Sequence, residues 1–153
     1  MSDSTQDDPF IGGSPLAKAI GNTAQPHKVF ELSGRLKGTT YAVKWLPTSA
    51  RMRAHADAVK VLTEEYGLDR ADLYGEIGEG LMEVESMVQH LARAMVKPDA
   101  PSQAFAKSPA EIRDTFDPDE VQLLYDQWWE WQIARSPMIR AKSEADARRI
   151  ADD

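Results

Sequence analysis

Apolar and polar positions alternate with a period of two in two short runs near the start of the chain, and with a helical period through most of the remainder. The runs Lys28 to Leu32 and Thr39 to Leu46 flank SGRLKG, which carries Gly34 and Gly38. In the second run Tyr41, Val43 and Trp45 alternate with Thr40, Ala42 and Lys44, the pattern of a strand with one buried face. Together they predict a β-hairpin over 28–46. A lone hairpin is marginal in water, so its apolar face has to pack on the helices C-terminal to it. Pro47 and Thr48 or Ser49 open a first helix over about 48–66, with Met52, Ala56, Val59, Leu62 and Tyr66 as its apolar stripe and Gly67 as its C-terminal cap. A second helix over about 69–96 aligns Leu73, Ile77, Leu81, Val84, Val88, Leu91 and Met95 at spacings of three and four, the strongest periodic signal in the chain.

KPDAPSQ then reads as a proline-containing linker. Ser108, Pro109 and Glu111 start a short helix over 108–116. The last helix, 118–136, lies within DPDEVQLLYDQWWEWQIARSP: Asp117 is the N-cap, Pro118 takes the first helical position, Glu120 completes a capping box, and Pro137 stops the segment. The resulting fold class is α+β, mainly α, with an N-terminal β-hairpin packed on a bundle of about four helices in one domain over 28–137. Residues 1–27 read as a flexible N-terminal segment that Phe10, Ile11 and Leu16 could dock, and 138–153 as a tail with helical character.

The last helix also holds three of the four tryptophans. Val121, Tyr125 and Trp128 fall on one line, Leu124, Trp128 and Trp131 on a neighbouring one, and Trp129 points away from both. Aromatic side chains spread this widely are either buried on several sides or form a contact surface, where tryptophan and tyrosine dominate binding energy. Tyr125, Trp128, Trp129 and Trp131 are therefore the candidate partner-binding residues, and Trp129 is the one expected to face solvent.

Composition changes this picture mainly by exclusion. With 42% hydrophobic residues and 28% charged, the 153-residue chain has the balance of a globular protein, and its apolar runs all fall well short of the roughly 20 residues of a membrane span. The acidic, polar start gives no basic and apolar secretory signal, so the expectation is a cytoplasmic protein. The absence of cysteine removes disulfides and thiolate chemistry. A net charge of −7 opposes a nucleic-acid role, since Arg51, Arg53 and Lys60 make only a modest cluster and Arg140, Lys142, Arg148 and Arg149 are interleaved with acids.

Candidate chemistry is thin. Gly75, Gly78 and Gly80 match neither GxGxxG nor the phosphate-binding P-loop, and instead suit close helix packing or a break in the second helix. Glu76, Glu79 and Glu83 share a helix face and could hold a hard cation, but His27, His55 and His90 do not supply the Glu-x-x-His partner such sites use, and a solvated acidic face is the simpler reading. No GxSxG elbow is present. The residues thus point to a non-catalytic protein with no cofactor and no metal. Two alternatives stand beside it: an inhibitor or immunity-type protein masking a basic partner with Asp69, Asp72, Glu76, Glu79 and Glu83, and a metal-dependent hydrolase using the last three of these.

From about Leu91 to Pro137, the succession LARAMVKPDAPSQAF, SPAEIRDTF and the capped tryptophan helix ending in Ser136-Pro137 resembles the tail assembly chaperones of long-tailed bacteriophages. The strand-forming VFELSGRLKGTTYAVKWLP near the N-terminus is similar to a feature of that family as well. The resemblance implies a chaperone of the host cytoplasm that binds the tape measure protein and tail tube subunits and keeps their apolar segments soluble. Acidity, Met82, Met87, Met95 and the tryptophan helix suit such a role, since a soluble body and an adaptable apolar patch are what it needs.

Overall fold

A computed structural model describes residues 14–16 and 27–135. The expectations for the remainder of 1–26 and for 136–153 lie outside the described residues. The elements run β1 (His27–Glu31), β2 (Thr40–Lys44), α1 (Thr48–Lys60), α2 (Arg70–Leu73), α3 (Glu76–Ala94), β3 (Met95–Lys97), β4 (Ala100–Ala104), α4 (Pro109–Thr115) and α5 (Pro118–Ala134). The fold is α+β and mainly helical, with an antiparallel sheet in the order β1-β2-β3-β4 set against the helices.

The first hairpin pairs His27 with Lys44 and Glu31 with Thr40. Its turn depends on glycine, because Gly34 and Gly38 have φ of 69° and 97°, where a Cβ is strained. The sheet does not stop there. KPDAPSQ, expected to be a linker, belongs to a second hairpin in which β3 pairs with β2 through Ala42↔Val96 and Val43↔Met95, and β4 pairs with β3. Pro101 is tolerated because β4 is an edge strand and needs its backbone donors on one side only. Met95 accordingly leaves the helical stripe and starts a strand.

The core gathers Tyr41 and Val43 of β2, Val88 and Leu91 of α3, Met95, Ile112 of α4, and Val121 and Trp128 of α5, all essentially inaccessible to solvent. Side chains of α5 bind it to β2. The Tyr41 hydroxyl donates to Gln127 Oε1 at 3.0 Å, and Trp128 Nε1 donates to the Lys44 carbonyl at 3.2 Å. Gln132 pairs with the Leu46 backbone both ways, accepting its N–H at 2.9 Å and donating to its carbonyl at 2.8 Å. That amide continues the ladder where β2 has ended, so the buried Leu46 backbone is satisfied. Burial of the Tyr41 phenol raises its pKa to about 12.

The buried face of α1 is only partly the expected one: Leu62 beyond its end is buried as expected, and Val59 is half-buried. Ala54, Ala58 and Leu62 turn inward, while Met52, Ala56 and Tyr66 are exposed. The two alanines let α1 approach α3 closely, which a stripe of larger side chains would prevent. Past Lys60 the helix widens into a π-helical turn over Val61–Glu65 and ends at Gly67, with φ 68°.

A polar chain crosses α3. Asp57 of α1 pairs with Arg93, which donates to Gln89 Oε1 at 3.1 Å; Gln89 Nε2 donates to Glu85 Oε1 at 3.0 Å. Glu85, only 4% exposed, is neutralised by Arg113 of α4, whose Nε lies 2.8 Å from its Oε2. That hydrogen bond raises the Arg113 pKa above its already high ordinary value.

Candidate functional site

The expected second helix is two helices, and the break between them shapes the surface of interest. α2 is capped by a reciprocal Asp69–Asp72 box, with the Asp72 N–H 2.8 Å from Asp69 Oδ1 and the Asp69 N–H 3.2 Å from Asp72 Oδ2. The chain then turns at Tyr74, and Gly75 becomes the N-cap of α3. Gly78 makes the fold-back possible: a Cβ there would lie 1.8 Å from the Asp72 carbonyl oxygen and 2.8 Å from Leu73 Cα. Only glycine lets the backbone of α2 rest directly on α3.

α2 so placed forms one wall of an open groove of about 1000 Å³. α1 contributes His55 and Val59, α2 contributes Arg70, Leu73 and Tyr74, α3 contributes Glu79, Met82, Glu83, Ser86 and Met87, and α5 contributes Gln122 and Tyr125. Thr63 of the π-helical turn after α1 also lines it. The lining is mixed: Val59, Leu73, Met82 and Met87 with two tyrosine rings, bordered by two carboxylates on one wall and a guanidinium on the other. Among the described residues the ion pairs join Arg35 to Glu120, Asp57 to Arg93 and Glu85 to Arg113, so Glu79, Glu83 and Arg70 enter none of these.

Beneath the groove lies His90, 6% exposed, its ring 5.8 Å from Tyr125 edge-on and 5.7 Å from Trp128. Its Nδ1 is 2.7 Å from the Ser86 carbonyl, which fixes the proton on that nitrogen. Burial lowers its pKa, the Ser86 hydrogen bond opposes that, and the positive field of Arg51, Arg93 and His55 adds to the lowering. Burial likewise raises the Tyr125 pKa.

The four aromatic candidates separate. Trp128 and Trp131 belong to the core, 0% and 7% exposed, and in the folded chain they offer no surface to a partner. Tyr125 is half-buried and forms part of the groove wall. Trp129 does not stand free in solvent as expected: it is half-buried, stacked on Tyr125 with ring centroids 6.3 Å apart, and covered by the Arg51 guanidinium 4.4 Å from its centroid. Glu76, Glu79 and Glu83 do not converge on an ion, and no group of three potential metal ligands comes together among the described residues.

The apolar surface that is open lies elsewhere. Ile77, Leu81 and Val84 continue the buried stripe of α3, yet Ile77 is 82% exposed and Leu81 45%, and Tyr74 at the turn before the helix is 82% exposed. Sequence periodicity aligns these residues but does not show that the core ends near Val84. No helix among the described residues is long and apolar enough to cross a membrane. Scans of protein-family models, of characterised proteins and of solved structures each find no match to the chain. What fold and site define is a mainly helical α+β protein carrying a groove bordered by acids beside an uncovered apolar helix stripe.

Proposed function

We propose that this is a non-catalytic protein-binding module that takes up an apolar helical segment of another protein, in the manner of a phage tail assembly chaperone acting on tape measure and tail tube subunits in the host cytoplasm. The observation that carries this reading is the projection of α2 and the first two turns of α3 beyond the core with Tyr74, Ile77 and Leu81 uncovered. Large apolar side chains side by side on a surface cost solubility and are kept where they meet a partner. The resemblance of residues 91–137 to the chaperone family supports the specific form of the proposal, and the overall charge of −7 supports a soluble carrier.

An inhibitor masking a basic partner is the second reading, favoured by five carboxylates against one arginine over residues 69–83. The test is affinity capture on the full chain from its native cells, run beside a variant carrying Ile77→Ser and Leu81→Ser. A long helical tail protein or tube subunit retained by the native chain and lost from the variant is the expected result. A basic enzyme retained equally by both selects the inhibitor, and no retained protein sensitive to the two substitutions ends the proposal.

A further inference from the structure

We infer that the groove between α1, α2, α3 and α5 receives one amphipathic helix of a partner, with Lys or Arg one turn apart along the flank that meets α3. The inference rests on the binding reading above and names the chemistry of the partner. Glu79 and Glu83 border the groove four residues apart on α3, a spacing that sets side chains about 5–6 Å from each other. A helix laid alongside presents its own side chains at the same repeat, so two basic residues one turn apart meet both carboxylates at once. Asp69, Asp72 and Glu76 extend the negative field around the same projection.

Between the charged borders, Met82, the edge of the buried Met87 and the rings of Tyr74 and Tyr125 give an apolar lining that is soft enough to accept varied side chains. Arg70 borders the same groove from α2, so an acid or amide on the occupant's other flank would pair with it and set the direction of the helix. A volume of about 1000 Å³ has room for several side chains at once. A second copy of this chain is the poorer occupant, because it carries the same net charge of −7 and would bring carboxylates to carboxylates.

The probes are two dye-labelled helical peptides of about 18 residues, one with leucines on one face and lysines at i, i+4 on its flank, the other with glutamate for each lysine. Fluorescence anisotropy is measured on titration with the full chain. The lysine peptide is expected to bind at least about tenfold more tightly than the glutamate peptide and to lose affinity as salt rises. Glu79→Gln with Glu83→Gln abolishes that preference, and Tyr74→Ser, at a residue 82% exposed, weakens binding of the lysine peptide without unfolding the chain. Equal affinity for the two peptides, a preference that survives the double substitution, or indifference to Tyr74→Ser overturns the inference. So does a dimer of the chain alone in sedimentation that Tyr74→Ser dissociates, which gives the groove to a second copy. If capture through Ile77 and Leu81 succeeds while the peptides show no selectivity, binding stands and this groove assignment falls; failure of both removes both.

Discussion

Neighbouring tryptophans on one helix do different work, and the difference is measurable. Trp128 is fully enclosed and its indole N–H is committed to the Lys44 carbonyl, so removing the ring leaves a cavity in the centre of the core and a carbonyl that loses its donor. Trp129 is only half-buried, and its ring is held by Tyr125 on one side and Arg51 on the other. Trp128→Ala is expected to destabilise the chain by about 3–5 kcal/mol. Trp129→Ala is expected to cost about 1–2 kcal/mol, the scale of a lost aromatic pair and a cation–π contact. Urea denaturation of the two variants checks this, and equal losses would place Trp129 in the core with Trp128. Helical spacing alone separates the directions of the two rings. It does not reveal that Arg51, far away in sequence, closes over the outer one.

At the scale of elements, local chemistry is legible in the sequence where a few residues decide the structure. The Asp117–Glu120 capping box forms with hydrogen bonds of 2.8 and 3.1 Å, and Gly34 and Gly38 occupy the positive-φ positions of the first hairpin turn. Where tertiary contact decides, pattern is not enough. β3 is three residues long and β4 contains a proline, so neither offers a run of alternation; they are strands because Val96 and Met95 add to the edge of β2. The buried face of α1 departs in part from the expected stripe because close packing against α3 selects Ala54 and Ala58 over the larger Met52. The groove is partly foreshadowed by Tyr125, by the Glu79–Glu83 face and by the cluster of Gly75, Gly78 and Gly80, which signals close packing or a break there but not that the α2 backbone is what rests on Gly78. The Glu85–Arg113 pair that joins α3 to α4 is equally invisible, since a buried carboxylate in a helical stripe looks like any exposed glutamate. Arg113→Ala is expected to cost about 3 kcal/mol by leaving Glu85 charged and buried without its partner. Glu85→Met combined with Arg113→Met should recover part of that loss, because two apolar side chains of similar length remove the desolvation cost with the pair, while the buried Gln89 amide, which loses its Glu85 acceptor, keeps the recovery incomplete. A chemical-denaturation cycle decides; a double variant as unstable as Arg113→Ala would show that the pair contributes more than mutual neutralisation.

At the scale of the whole molecule, His90 ties stability to pH. It sits where α1, α3 and α5 meet, facing Arg51 and His55 from α1, Arg93 on its own helix, and the Tyr125 and Trp128 rings from α5. Burial and these cations lower its pKa below the ordinary 6.5, so in the folded chain the ring stays neutral at a pH where the unfolded chain has begun to protonate it. Between those two pKa values the unfolded state binds more protons than the native one, and the linkage relation then requires stability to rise with pH. The contribution is therefore fully present above pH 6.5 and is lost as the pH falls from there through the lower, folded-state value. The urea midpoint is expected to decline on going from about pH 7.5 to about pH 5.5, a window above the ordinary carboxylate pKa values. His90→Gln keeps a polar side chain without a titrating ring, and its midpoint, whatever its absolute value, should change less over the same interval. A native midpoint that rises on acidification would show that the fold favours the charged ring, and a His90→Gln profile as steep as the native one would show that burial does not shift the ring and that other groups set the slope.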